Sequence, residues 1–345
     1  MNLKKLFLLI ISLLILIGGA VTYNFYSKIY KPNTIKKGFL YIPTNSNFSE
    51  VENLISPFLK NVKSFLWVSN KKKYPTNIKP GKYLVTKGLS NNDLINLLRS
   101  GKQTPVKLAF NNQDNLKKLA GRISTQIEAD SISLYNSFNE ASFLAKEGFT
   151  KKTALAMYLP NTYEVYWNIT PNKLRAKLLV EYRKFWNKNR LAKTKELGLT
   201  PIKVITLASI VQKETASIAE RPKVARLYLN RLQHNWPLQA DPTIIFAIKE
   251  KENTANTVIK RVLTKDLEIN SPYNTYKNLG LPPGPIGMPD LSSINAVLNP
   301  ATHDYFYMCA STFHIGEHEF SKTLAQHNRN AIKYQKWLSK QGINR

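Results

Sequence analysis

The feature that most restricts this chain lies at its start. Lys4 and Lys5 precede an apolar run from Leu6 to Val21 that only Ser12, Gly18 and Gly19 interrupt. Tyr23, Phe25 and Tyr26 follow, where amphipathic rings sit at a membrane–water boundary. Counted through Tyr26, the segment reaches about 20 residues, roughly one bilayer span. A cleaved signal peptide is the competing reading, with Gly18-Gly19-Ala20 as small residues, but an A-x-A-like site is missing and an uncleaved anchor is expected. Lysines flank both sides (Lys28, Lys31, Lys36 and Lys37 beyond the run), so charge alone does not orient it. A short N-terminal tail retained in the cytoplasm puts everything after Tyr26 outside. Either reading makes the bulk of the chain extracytoplasmic.

Composition narrows the rest. The 345 residues suggest about two domains, and 43% hydrophobic content is enough for a core, which excludes wholesale disorder. One cysteine, Cys309, excludes an internal disulfide framework and a multi-cysteine zinc site. With 50 Lys+Arg against 22 Asp+Glu the net charge is +28, which suits nucleic acid, anionic lipid or the carboxylates of a cell-wall polymer. The abundance of Lys, Asn and Ile together also fits a biased codon composition. The extracytoplasmic reading argues against nucleic acid as partner.

Four segments follow. Residues 1–26 read as a short cytoplasmic tail and transmembrane anchor, and 27–38 as a basic linker. Residues 39–110 read as a small α+β module in β-α-α-β-α order. Its signals are the β-like Phe39–Ile42, a helix capped by Asn47 that Pro57 kinks or breaks, a short helix at Phe65–Val68, the strand Tyr83–Val85, and a helix from Ser90 to Gly101. Residues 111–345 read as a larger mixed α/β domain. At the boundary a strand at Val106–Phe110 leads to helices around Leu116–Ile127 and Leu174–Trp186, then from Pro201 to about Ala216 and from Pro222 to about Gln233. Beyond Pro272 come Pro/Gly/Asn-rich segments, a β-like Tyr305–Met308 and a terminal helix. The fold class is α+β.

Among motifs, G-x-S-x-G, G-x-x-x-x-G-K-[ST] and C-x-x-C are missing. His314-Ile-Gly-Glu-His318 fits H-x-x-E-H literally, but that zinc chemistry needs a helix to bring both histidines to one face. Gly316 in its middle, with Phe313 and Phe320 at its flanks, predicts a β-hairpin turn instead. The informative stretch is Val204 to Ala216. On a helix, Val204, Leu207, Val211 and Glu214 recur at steps of three and four, so Glu214 falls on or beside an apolar stripe. A carboxyl withdrawn from water has its pKa raised, as a general acid near neutral pH requires. A glutamate paired with Lys or Arg at the stripe's edge is the alternative.

Leu207-Ala-Ser-Ile-Val-Gln-Lys-Glu-Thr-Ala216 resembles the catalytic helix of the endolytic murein transglycosylases, the MltG/YceG-like family. Matching blocks continue in order: Glu220-Arg221, Leu229-Asn-Arg-Leu232, Leu238-Gln-Ala-Asp-Pro-Thr243, Ser271-Pro-Tyr-Asn-Thr-Tyr276, Gly280-Leu-Pro-Pro-Gly-Pro-Ile286, His318-Glu-Phe-Ser321 and His327-Asn328. Upstream, Pro160-Asn-Thr-Tyr163 and Pro80-Gly-Lys-Tyr83 also fit, so the resemblance covers nearly the whole chain. Many members read Glu-Lys-Glu at Gln212-Lys213-Glu214, and many have Asp at Asn161. Glu214 thus matches the family's catalytic glutamate.

The resemblance implies cleavage of the MurNAc–GlcNAc β-1,4 bond within glycan strands. Glu214 would act as acid and then base, and the muramoyl C6 hydroxyl would close a 1,6-anhydro ring without metal or cofactor. It implies a sugar cleft with Gln239, Asp241, Tyr273, Asn274, Thr275 and Tyr276 as substrate contacts, and a LysM-like character for the small module. His327 is expected as a structural hydrogen-bonder. The implied partners are peptidoglycan strands, the cytoplasmic (inner) membrane and peptidoglycan synthases, with the catalytic domain periplasmic. A membrane-anchored glycan-binding protein without catalysis is the alternative.

Overall fold

The computed structural model describes residues 3–252, 259 and 261–341 and is mixed α+β. It divides into two compact units: residues 1–108 with Gln126–Ala129 and Tyr163–Thr170, and residues 109–125, 130–162 and 171–345.

The first unit begins with α1 (Leu3–Tyr30), whose side chains are all exposed through Tyr26. It continues with β1 (Gly38–Ile42), α2 (Phe48–Ile55), α3 (Val62–Lys71), β2 (Gly81–Val85), α4 (Asn91–Ser100) and β3 (Val106–Phe110). Asn47 and Glu50 close a capping box on α2, and Pro57 ends that helix in a single 3₁₀ turn, Ser56–Phe58. Strands β1 and β2 pair antiparallel with Leu40 opposite Tyr83. Their alternation sends Leu40, Ile42, Tyr83 and Val85 into a core with Val51, Phe65 and Leu94.

The segment expected as a linker is not loose. Helix α1 runs on through Tyr30 and packs against α3 and α4. Asn91, 1% exposed, donates to the Lys28 carbonyl at 2.8 Å and to Ser64 Oγ at 2.9 Å, while its own oxygen accepts from Asn33 at 2.7 Å. The backbone N–H groups of Asn33 and Ile35 then donate to Leu89 and Phe58 carbonyls, both at 2.8 Å. A buried amide that meets its partners only in this arrangement fixes the joint.

The second unit contains α5 (Leu116–Ser124), α6 (Ser131–Phe138), α7 (Ala141–Lys146), α8 (Pro171–Phe185), α9 (Lys188–Glu196), α10 (Pro201–Glu214), α11 (Arg221–Gln233), α12 (Asp241–Glu252), α13 (Leu291–Leu298), the hairpin β5 (Tyr307–Ala310) and β6 (His318–Ser321), and α14 (Leu324–Lys340). Strand β4 (Asn161–Val165) pairs with β3, and the chain passes between the units within these two strands. Thr200 caps α10 by accepting from Lys203 N–H, and Pro201 occupies its first turn. Every residue from Val204 to Val211 is buried, so the expected stripe is corrected to a helix enclosed on all sides. No charged residue stands between Lys203 and Lys213, which is what such enclosure demands. The buried hydroxyls of Thr206 and Ser209 donate back to the carbonyls of Ile202 (2.9 Å) and Thr206 (2.7 Å).

The Pro/Gly-rich stretch before α13 is fastened to α10. Ile286 N–H donates to Ser209 Oγ at 3.0 Å, and Asp290 N–H to Gln212 Oε1 at 2.5 Å. A Cβ on Gly284 would lie 2.1 Å from the Lys152 carbonyl oxygen, so only glycine fits there. Gly284→Ala should therefore cost about 1–3 kcal/mol through overpacking. Gly121→Ala, on α5 with nothing within 4 Å of its Cβ, should be neutral or stabilising. Thermal unfolding of both variants checks this; equal midpoints would remove the close-approach explanation.

Candidate active site

Glu214 is the last residue of α10, where the enclosed helix ends and the chain turns at Thr215 into extended backbone. Its side chain is half-buried and held from the next helix. The hydroxyl of Tyr228, 1% exposed on α11, donates to Glu214 Oε1 at 2.6 Å. Burial pushes the Glu214 pKa up to about 7; the Tyr228 hydrogen bond and the charges of His318 and Arg231 pull it down, while the Asp241 carboxylate pushes it further up.

Adjacent residues at the start of α11 fix this helix in two directions. Glu220, 4% exposed, accepts from the His318 backbone N–H at 2.5 Å and pairs with its Nδ1 at 3.0 Å. Arg221, 6% exposed, donates through Nη1 to both Asp290 oxygens at 2.9 and 2.8 Å, at the cap of α13. Burial lowers the His318 pKa, but the Glu220 hydrogen bond and charge outweigh it and the net shift is upward. His318 thus connects Glu220 to the electrostatics of Glu214. The H-x-x-E-H run forms the β5–β6 turn with Gly316 at φ +89°, so its histidines do not share a helix face. A cleft of about 560 Å³ beside it is lined by Glu220, Lys223, His303, His314, Glu317 and His318 among others.

The two loop blocks expected to contact sugar are bound to each other. Gln239 is exposed, at φ +49°, and its N–H donates to the Thr275 carbonyl at 3.0 Å. Thr275, 1% exposed, accepts from Ala240 N–H at 3.1 Å and lies 2.8 Å from Thr243 Oγ1. Tyr276 donates to Asp241 Oδ1 at 2.5 Å, and both influence Glu214 or its neighbours electrostatically. Asp241 is the first residue of α12.

Two of the block's residues face inward. Tyr273 is 2% exposed with its ring 4.5 Å from Phe246, and Asn274 is fully buried. The Asn274 amide donates to the carbonyls of Leu267 (2.8 Å) and Ile269 (2.9 Å), and its oxygen accepts from Tyr276 N–H (2.9 Å). Tyr273, Asn274 and Thr275 therefore shape the loop that presents Tyr276, and their side chains are occupied within the protein. Asn161 is exposed on β4, its oxygen taken by Thr162 N–H at 2.8 Å. His327 stacks on Tyr307 at 5.4 Å, and its buried Nδ1 has no hydrogen-bond partner.

Sequence reasoning missed Tyr228 and Arg231. Arg231, 7% exposed, donates to the carbonyls of Phe306 (2.8 Å) and Leu238 (2.5 Å) and contributes positive charge near Glu214. Val224, Tyr228 and Arg231 at steps of four and three mark one face of α11, and that spacing was the available signal.

A carboxyl whose pKa is raised by folding contributes most favourably when protonated. Its contribution is fully present below its ordinary value of 4.5 and is lost as pH rises through about 7. Glu214→Gln, which mimics the neutral acid, should thus match the wild type near pH 4. It should gain on the wild type up to neutrality, by at most about 3 kcal/mol at about 1.4 kcal/mol per pKa unit. Denaturant unfolding across this range checks it; a pH-independent difference would contradict the raised pKa.

The YceG-like family model matches residues 40–333. An endolytic murein transglycosylase of Bacillus subtilis (strain 168) is 30% identical over 339 residues, covering 93% of this chain and 91% of that protein. One from Streptococcus pneumoniae (serotype 2, strain D39) is 28% identical over 353 residues, covering 92% of this chain; the chain spans 62% of that longer relative. The crystal structure of a yceG-like protein from Listeria monocytogenes matches with a TM-score of 0.56 at 26% identity, covering 85% of this chain and 98% of that one. Likeness of this extent, over both sequence and fold, means that the chain belongs to the YceG-like family.

Proposed function

We propose that this chain is a peptidoglycan lytic transglycosylase that cuts MurNAc–GlcNAc β-1,4 bonds within glycan strands and leaves 1,6-anhydroMurNAc ends. The murein transglycosylase names of its relatives support the activity. The observation that carries the chemistry is Glu214 itself, a withdrawn carboxyl with a pKa raised to about 7 and one oxygen engaged by Tyr228. The free oxygen is the one that would bear the proton. Glu214 gives this proton to the leaving O4 as the C1–O4 bond breaks. The resulting carboxylate then takes the proton of the C6 hydroxyl while O6 bonds to C1. The glutamic acid is regenerated and no water is consumed. A group that must be acid and then base within one turnover works best near half-ionisation at ambient pH.

Asp241 and His318 bear on this cycle with opposite sign, the first favouring the protonated form and the second the carboxylate. Gln239, Asp241 and Tyr276 are the exposed or half-exposed members of the loop pair and suit contact with sugar hydroxyls and acetamido groups. Tyr273, Asn274 and Thr275 support them. The first unit, with its β-α-α-β-α order, is read as a LysM-like glycan-contacting module. The exposed apolar α1 is read as a single-pass anchor in the cytoplasmic membrane, with the catalytic unit extracytoplasmic. Cutting there would limit nascent strand length close to peptidoglycan synthases.

Digestion of glycan strands in heavy-oxygen water tests the reaction. The expected products carry anhydro ends without label, and Glu214→Gln should lose about 10²–10⁴-fold in rate. Labelled reducing ends, or equal release by the two proteins, would overturn the proposal, and no release from either would favour a glycan-binding protein. The rate should also fall above about pH 7 as Glu214 ionises. Tyr228→Phe removes a hydrogen bond that favours the charged form, and should move this limb upward by about 0.5–1 pH unit.

A further inference from the structure

The junction between α1 and α3 has a composition that the glycan chemistry does not use. Phe25 of α1 stacks on Trp67 of α3 with ring centroids 5.3 Å apart. The Lys28 ammonium lies 5.9 Å from the Phe25 ring and 5.5 Å from the Trp67 ring, and Lys71 Nζ lies 5.8 Å from Trp67. Among the described residues neither ammonium forms an ion pair. Lys63 precedes Trp67 by four residues and Lys71 follows by four, so the three share one row of α3.

The depth of this cluster follows from the helix. At about 1.5 Å per residue, a hydrocarbon core of about 30 Å takes up about 20 residues. Starting at Leu6, that length ends near Phe25, at the boundary of the hydrocarbon with the headgroups. Trp67 lies no further from Phe25 than 5.3 Å between centroids, so it differs from it in depth by no more than that. The headgroup layer is about 5–7 Å thick on each side, so the indole lies within reach of it, and the two ammonium groups, 5.5 and 5.8 Å from that ring, lie in it or at its outer edge. Because the Lys28 carbonyl is held by buried Asn91, the module stays close to this level, and a small tilt separates a seated module from a lifted one.

We propose that the row of α3 around Trp67, together with Lys28, binds the phosphates of anionic phospholipids and seats the small unit on the bilayer surface. This rests on α1 spanning the membrane. Tryptophan with lysine is the composition that favours this layer, since the ring is amphipathic and the ammonium meets phosphate. Each lysine should change the ratio of seated to lifted module about fivefold.

The test uses the full-length chain in lipid nanodiscs, with Cys309→Ser and a single bimane-labelled cysteine at Leu13→Cys or Asn70→Cys. Asn70 is exposed and three residues beyond Trp67. The Leu13 label should be quenched by spin labels in the acyl chains. The Asn70 label should be quenched by headgroup spin labels, more strongly in phosphatidylglycerol discs than in phosphatidylcholine. Molar salt and Lys28→Gln/Lys71→Gln should each weaken that quenching while the Leu13 signal and the thermal midpoint stay unchanged. An Asn70 label unquenched while Leu13 is quenched overturns the seating. Quenching equal in both lipids and indifferent to salt overturns the anionic-lipid assignment. An unquenched Leu13 label shows instead that the membrane span has failed, and the proposal with it.

Discussion

A helix that has no solvent-facing side is the element on which the second unit depends. From Val204 to Val211 every side chain of α10 is covered, so α11, α12 and α13 must all find places around it. Small and hydroxylated residues make this close packing possible, because Thr206 and Ser209 satisfy their own hydrogen bonds against the helix backbone. The end of such a helix cannot drift. Glu214, half-buried three residues beyond the enclosed stretch, takes its position from that helix end, and Tyr228 orients one oxygen.

The polar residues near α10 divide into those that hold elements and those that set charge. Gln212 accepts from the Asp290 backbone at 2.5 Å and from Ser293 Oγ at 3.3 Å, a job that an uncharged amide does without adding to the negative potential around Glu214. Glu220 and Arg221 are consecutive, yet one takes the β5–β6 hairpin and the other the cap of α13. Partnered this way, each of the two buried charges offsets part of the desolvation penalty that it would suffer alone. The effect reaches the candidate acid, since Glu220 favours protonation of His318, and His318 in turn favours ionisation of Glu214.

Much of this was legible from local pattern. The caps at Asn47 and Ser90, the start of α10 at Pro201, the break at Pro57 and the hairpin at Gly316 follow from short-range chemistry. Glu214 was legible because it recurs at helical spacing with Val204, Leu207 and Val211 and because the helix resembles the family's catalytic one. Its surroundings were not, because what encloses α10 comes from segments tens of residues away. Tyr228 and Arg231 looked like ordinary members of a helix until α11 was laid against Glu214. Asp241-Pro242 opens α12, a helix without a clear apolar period, and α13 follows a stretch rich in proline and glycine, so neither helix was read from the sequence. Tyr273, Asn274 and Thr275 have the polar and aromatic types that suit sugar, but composition does not say whether a side chain turns in or out.

The stiff joint at Lys28 has a mechanical consequence. A flexible tether would let the first unit sample a hemisphere of orientations whatever the helix did. Here α1 and the unit behave as the two arms of one lever, with Asn91 at the elbow. A spanning helix tilts to match its apolar length to the thickness of the bilayer. On the proposed reading of α1 as the anchor, a joint with little slack passes that tilt on to the unit. Bilayer thickness, a property of lipid chain length and temperature, then becomes a setting for the angle at which the module's faces meet whatever lies over the membrane.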